Sequence, residues 1–466
     1  MNSSFRKIFV QYLRLYKTCS KARIIQTPCH GCRHHYSTSP LHSTSENNPR
    51  EWQTHFKGPQ PEFDWQYLCD PNNTAAIEEN IKYRKGMGDI RKVTSLWKKY
   101  NEESEASHKD RIWKDLIKEA SDIPNTHHPD SPIGEEENSR LVETVGEPTR
   151  FNFKPRTVVR IGEKLDILRT DNVNFSTGIR TYYFKDELVD LEMALIKFTL
   201  NTLKQHGFHV ISVPDLIYAP VIEACGFKTT GENQVYKLND NFYQDVCLAG
   251  TAEMSLAGFM SDEKLTTENL PTKLTAVSRC FRREASDAKE EQGIYRVHQF
   301  TKIEMFGVTE NDKGTESEEL LQHFLDIEKS LFSQLGLHFR ILEMSTECLG
   351  APAYRKYDME TWMPGKHFWG EISSASNCTD YQSRRLGIKY TDINGNYRHA
   401  HTVNGTACAI PRMIMAILEQ FQTKDWNVNI PEVLQPYMNN KTQLTGPQNK
   451  HPTKWIKFKK LKNITS

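Results

Sequence analysis

The stretch FRREASDAKEEQGIYRVHQFTKIEMFGV, residues 281–308, decides the fold. With the LTAVSRC run before it, it alternates polar and apolar residues at period two. That pattern predicts strands over 274–284 and 295–308, joined by a polar loop from Ala285 to Gly293. Side chains at i, i+2 and i+4 of a strand share a face. Arg282 and Glu284 should therefore project from the same side of a hairpin as Arg296, His298, Phe300, Lys302 and Glu304. Guanidiniums clamp phosphate or carboxylate in a bidentate way, an aromatic ring stacks on a base, and a carboxylate accepts from an ammonium. The pattern points to a nucleotide site, with a solvated, salt-bridged sheet face as the alternative.

Downstream, strands are expected over 367–374 and 398–404, and a strong helix over 408–422. They carry a second polar set: Glu371, Ser373 and Ser374, then Asn404, Thr406 and Arg412. Arg412 follows Pro411 in the first turn of the helix, where the helix N-terminus favours anions. Glu371 with a serine hydroxyl suits Mg²⁺ carried on phosphates. Upstream, 186–206 reads as a helix with Leu188, Leu191, Leu195, Phe198 and Thr202 on one stripe. It runs into a strand over 208–213 that stops at Pro214. Helices around a largely antiparallel sheet make the fold class α+β.

The rest of the 466 residues divides unevenly. No acid precedes Glu46, and Arg6, Lys7, Arg14, Lys17, Lys21, Arg23 and Arg33 accompany an amphipathic spacing of Phe5, Ile8, Phe9, Tyr12, Leu13 and Tyr16. This reads as a mitochondrial transit peptide over 1–36, against a basic nucleic-acid-binding arm. Residues 37–72 read as a polar linker. Two charged helices over 73–122, with a turn at 101–107, form an antiparallel hairpin arm, kinked at Gly86 and Gly88; an extra layer on the main domain is the alternative. The main domain spans 123–436. A tail over 437–466 interleaves Trp455, Ile456 and Phe458 with Lys454, Lys457, Lys459 and Lys460, a pattern suited to RNA. Cys29 and Cys32 lie inside the presequence with no second CxxC to complete a zinc site, and the ten cysteines show no disulfide framework. No run of about 18 apolar residues is present, so no membrane insertion is expected. The formal charge of +1 hides an acidic body: without the seven basic residues of the presequence and the seven lysines of the tail, 46 basic residues face 59 acidic ones.

These residues carry a family resemblance. Residues 281–308 resemble the motif 2 hairpin of class II aminoacyl-tRNA synthetases (about 274–308). VNGTACAIPRMIMAILE at 403–419 resembles motif 3 (about 398–422), and the segment ending at Pro214 resembles motif 1 (about 186–214). Within the class, TGIRTYYF (177–184), LAGTAEMSL (248–256), APAYRKYDMETWMPG (351–365) and GEISSASNCTDYQSRR (370–385) are similar to blocks of the seryl-tRNA synthetases. HTVNGTACAIPR and NCTDYQSRR look more like the mitochondrial form of metazoans than the bacterial one, in agreement with the presequence.

The resemblance implies a homodimer of the mitochondrial matrix that activates L-serine with ATP and Mg²⁺ and charges tRNA(Ser). It implies Arg282 and Arg412 as the catalytic pair. Glu284, Arg296, Phe300, Glu371 and Ser374 join them around ATP, with Glu371 and Ser374 on the metal. Thr251, Glu253, Glu304, Asn404 and Thr406, with Arg282, would receive serine, and the hairpin arm would read tRNA. Two departures from the family stand out. Cys348 occupies a usually acidic place, and the 285–293 loop is acidic where relatives are Gly-rich and basic. They keep open a second reading, a catalytically inactive paralogue that binds RNA or a partner.

Overall fold

The computed structural model describes residues 58–170, 176–231, 234–240, 243–284 and 293–447. The expected transit segment, most of the linker, the centre of the motif 2 loop and the tail lysines 454, 457, 459 and 460 lie outside the described residues.

An eight-stranded sheet carries the main domain. Its strands are β1 (Arg140–Val145), β2 (His209–Val210), β3 (Thr272–Phe281), β4 (Gln299–Thr309), β5 (Phe339–Glu343), β6 (Arg355–Met363), β7 (Phe368–Thr379) and β8 (His401–Ala409), in the spatial order β1-β5-β6-β7-β8-β4-β3-β2. Every neighbouring pair is antiparallel except β2 with β3, as the α+β reading expected. The helices used below are α1 (Trp65–Cys69), α2 (Thr74–Tyr83), α3 (Ile90–Glu102), α4 (Ala106–Ser121), α5 (Val158–Leu165), α6 (Glu187–Gln205), α7 (Ala252–Phe259), α8 (Glu316–Gln334), α9 (Tyr381–Leu386) and α10 (Ile410–Gln420).

The β4 strand is the spine. Every residue from Thr301 to Thr309 is buried, with its neighbours β3 and β8 paired on either side. The α10 helix is apolar nearly all round, which is the signature of a helix enclosed by the core. Ile410, Met413, Ile414 and Ile417 share one cluster with Leu191 and Leu195 of α6 and Ile303 and Met305 of β4. Gly405 of β8 lies close to α8: an added Cβ would meet Glu328 Oε1 at 2.8 Å and Phe324 at 3.2 Å, so a larger residue would make these side chains shift.

Several expected boundaries shift. The motif 2 strands are 272–281 and 299–309, shorter at the loop side than expected, because Glu284 takes φ +26° and 293–298 turns instead of pairing. The 408–422 helix begins only at Ile410, since Thr406–Ala409 complete β8 against β4. The strand after α6 shrinks to His209–Val210.

The arm is three helices where two were expected. Lys85, Gly86 and Gly88 all take positive φ and split the first helix into α2 and α3, while α3 and α4 form the antiparallel pair. The end of the expected linker is also structured. Asp64 caps α1 by accepting from Tyr67 N at 2.9 Å, and Trp65 stacks on Trp97 of α3 at 4.9 Å. Asn125, just after the arm, anchors it by donating to Pro352 O, Cys378 O and Thr379 Oγ1 at 2.8–2.9 Å.

Candidate active site

One cavity opens where the β3–β4 loop side, β7 and the start of α10 meet. Its walls include Arg282, Glu284, Phe300, Lys302, Glu371, Ser374, Thr406 and Arg412, together with Tyr295. Residues 282 to 412 are thus brought together across 130 positions by the pairing of β4 with β8 and of β8 with β7. A larger cleft, about 300 Å³ against about 60 Å³, lies between the arm and α9. It gathers none of the residues singled out in the sequence, so size and chemistry point to different places, and chemistry decides.

At one end of the cavity stand the arginines. The Arg282 Nε donates to Gly250 O at 3.2 Å and its guanidinium lies 5.3 Å from the Phe300 ring centroid. Arg412, held by the first turn of α10 after Pro411, donates to Tyr295 O at 3.2 Å and to Glu371 O at 2.9 Å. Its guanidinium sits 4.3 Å from the Tyr295 ring centroid and 3.3 Å from the Glu371 carboxylate. Arg296 reaches Glu284 at 3.4 Å from the turn before β4. Burial would raise the Glu371 pKa, but Arg412, Lys356 and Arg282 outweigh it and hold the carboxyl down to about 2. Glu371 is therefore ionised at any working pH, beside the Ser374 hydroxyl on the same strand.

Behind the wall formed by Lys302 and Thr406 lies an acidic layer; Glu304, Glu253, Asn404 and Thr251 do not line the cavity themselves, nor does Arg296. Glu304 is 1% exposed and sits on β4 opposite Thr406 of β8, whose hydroxyl donates to it at 3.4 Å. Lys302, two residues earlier on the same face, forms a close ion pair with Glu304. Behind them, Glu253 on α7 accepts from Gln382 Nε2 at 2.7 Å and from Asn404 Nδ2 at 3.1 Å. Burial first, and then the Glu304 charge, push the Glu253 carboxyl up to about 7 against the pull of Lys302. Burial likewise raises Glu304. Thr251 caps α7, its hydroxyl accepting from Glu253 N at 3.3 Å.

The sequence reading placed His298 on the same face as its neighbours. It is turned away instead, with Nδ1 3.1 Å from Tyr236 Oη and 3.0 Å from Arg282 O, because the period-two alternation ends where β4 begins. Two participants were missed. Tyr295 lies under Arg412 and its hydroxyl accepts from Glu371 N at 2.9 Å. Gln382 passes a hydrogen bond from Thr402 Oγ1 (2.8 Å) to Glu253. Nothing local in IYR or DYQ marks either residue; both act through partners distant in sequence. Cys348 is half-buried in a 3₁₀ turn, 3.6 Å from Ser345 Oγ, and does not line the cavity.

Such a cavity can neutralise a polyanion at one end and hold a cation at the other. Four likenesses bear on which ones. Residues 236–421 match the tRNA synthetase class II core domain (G, H, P, S and T). The chain is 45% identical over 339 residues to the mouse "Serine--tRNA ligase, mitochondrial", covering 72% of this chain and 65% of that protein. It therefore spans just under two thirds of that relative's length. It is 43% identical over 329 residues to the "Serine--tRNA ligase" of Treponema denticola, covering 70% of this chain and 76% of that one. Among solved structures, the seryl-tRNA synthetase of Pyrococcus horikoshii complexed with ATP superposes with a TM-score of 0.75 at 28% identity, covering 83% of this chain and all of that one.

Proposed function

The chain belongs to the serine--tRNA ligase family of class II aminoacyl-tRNA synthetases, and we propose that it activates serine with ATP and transfers the seryl group to tRNA(Ser) in the mitochondrial matrix. The observation that carries this reading is the cavity walled by Arg282 and Arg412 and backed, behind Lys302 and Thr406, by the buried carboxylates Glu304 and Glu253.

In the first step the serine carboxylate oxygen attacks the α-phosphorus of ATP. The bond from that phosphorus to the bridging oxygen of the β-phosphate breaks, and pyrophosphate leaves. In the second step a hydroxyl of the terminal tRNA ribose attacks the seryl carbonyl and AMP leaves. Little covalent work falls to the protein, so positioning and charge neutralisation dominate. Arg282 takes the α-phosphate and the substrate carboxylate. Phe300 stacks on adenine, Glu284 accepts its amino group, and Arg296 and Arg412 receive the γ-phosphate from different sides. Glu304, with Glu253 and Thr251 behind it, receives the ammonium, while Thr406 and Asn404 form the hydroxyl end. Serine is selected over alanine because the missing hydroxyl leaves buried partners unpaired.

One ionised carboxylate beside one hydroxyl, Glu371 and Ser374, is the donor set of a Mg²⁺ that arrives on phosphates. When bound, the ion supplies further neutralisation of the phosphate charge. A second copy of the chain fits the motif 1 side, where Val189, Met193, Val210 and Leu216 are exposed apolar residues. The transit segment over 1–36 accounts for the location, and the hairpin arm and the tail lysines Lys454, Lys457, Lys459 and Lys460 offer the tRNA its backbone contacts. The inactive-paralogue reading is the weaker one, since the cavity keeps Arg282, Glu284, Phe300, Glu371 and Arg412 on its wall and Cys348 lies off it.

Serine-dependent exchange of pyrophosphate into ATP tests the proposal. The folded protein should catalyse it, and Arg282→Ala should abolish it while tRNA binding persists. No exchange by the folded wild type would overturn the reading.

A further inference from the structure

Lys302 lines the cavity and holds the carboxylate expected to receive the substrate ammonium. The pair is nearly dry, with the two side chains 8% and 1% exposed. The Lys302 Nζ also lies 3.4 Å from Thr406 Oγ1, which itself donates to Glu304 at 3.4 Å. Lysine ammonium, threonine hydroxyl and glutamate thus already form the arrangement that an amino acid bearing an ammonium and a hydroxyl would make there. In the free protein Lys302 stands where the substrate ammonium must go.

Resting on the serine-activation reading, we propose that the Lys302–Glu304 ion pair is a lock opened only by a zwitterion. The incoming ammonium replaces Nζ on Glu304, and the freed Nζ moves to the incoming carboxylate, beside Arg282. Charge is conserved throughout: one buried pair becomes two pairs, and no buried group is left alone. A ligand with the ammonium alone would strand Lys302 in a nearly dry site, and one with the carboxylate alone could not displace it from Glu304. Stranding one partner of a buried pair is strongly unfavourable, whereas exchanging partners is not. The compact ammonium on a flexible four-carbon stem suits such a move better than a rigid guanidinium fork. Lys302 thereby screens for α-amino acids before the hydroxyl end screens for serine.

The test compares serine with serinol, which keeps the ammonium and hydroxyl but has no carboxylate, and with 3-hydroxypropionate, which has no ammonium. Both are assayed as inhibitors of pyrophosphate exchange. In the wild type each should bind at least 100-fold more weakly than serine. In Lys302→Met the serine KM should rise at least tenfold, the serinol Ki should stay level or fall, and the ATP KM should stay within twofold. The preference for serine over serinol then collapses at least tenfold, which loosened packing alone would not produce. Should Lys302→Met fail to fold, Lys302→Gln carries the same expectation. An unchanged serine-to-serinol ratio, or parallel rises in the serine and ATP KM values, would overturn the proposal. Wild-type protein without serine-dependent exchange would instead refute the parent reading.

Discussion

Glu371 and Glu253 are two carboxyls at opposite ends of one site, and burial drives both upward. Yet Glu371 ends at about 2 and Glu253 at about 7. The difference lies in their neighbours. Arg412, Lys356 and Arg282 surround Glu371, whereas Glu253 has Glu304 beside it and only Lys302 and Arg282 to offset that charge. The sign of the surrounding charge, more than depth, sets what each end can bind. The arginine end, proposed for the nucleotide, is a preorganised cation cluster that keeps even its own carboxylate ionised. The acidic end, proposed for the amino acid, holds two buried carboxyls whose pKa values burial raises, with Lys302 paired to Glu304.

Breaking the first end should have the largest effect. Arg412→Ala removes a guanidinium that is tied to Tyr295 and Glu371 before any substrate arrives. Exchange turnover should fall on the order of 10²–10³-fold, as it does when a preorganised charge-stabilising group is lost. The ATP KM should rise and the serine KM should change little. A serine KM that rises in step would show that the two ends are not separable.

The second end should respond to pH and the first should not. Ionised Glu253 adds negative charge next to the ammonium position, so the serine KM should fall several-fold from pH 6 to pH 8 while the ATP KM stays flat. Stability runs the other way. A folded pKa of about 7, raised from the ordinary 4.5, means that the Glu253 contribution is fully present below pH 4.5 and lost as pH rises through 7. Glu253→Gln should flatten both the serine KM profile and the fall in Tm over that window. A KM profile as steep in the variant as in the wild type would assign the titration to another group.

The sequence carried the fold class and most of the site. Period-two alternation marked β3 and β4, and charge on an otherwise apolar strand marked Arg282, Phe300, Lys302 and Glu304. Alternation says where side chains point only while the strand lasts, so it misplaced His298 and the boundaries near 282–284 and 295–298. It also read Cys408 and Ala409 as helix, because an apolar run looks alike in a buried strand and a buried helix. Tyr295 and Gln382 stayed hidden because their chemistry is entirely in long-range contacts, to Arg412 and to Glu253. The break at Lys85–Gly88 was legible as a glycine pair, though a kink was the expectation and two separate helices are the outcome.

The smallest effect belongs to Cys348, where the family resemblance leads one to expect an acid. Its thiol touches Ser345 and lies away from the cavity wall, with burial raising its pKa. A carboxylate placed there by Cys348→Asp could reach the nucleotide end only through Lys356, whose charge helps hold Glu371 down. Lys356 is already bound to Asp358 at 2.8 Å, a nearer and more buried partner than a residue in the 3₁₀ turn. Glu371 should therefore keep its low pKa, and neither KM nor turnover should move more than about twofold, since a remote charge adds little beside three close cations. A large gain in exchange by Cys348→Asp would mean that Lys356 is shared between the turn and the site. The nucleotide end would then extend one layer deeper than Arg282, Glu371 and Arg412.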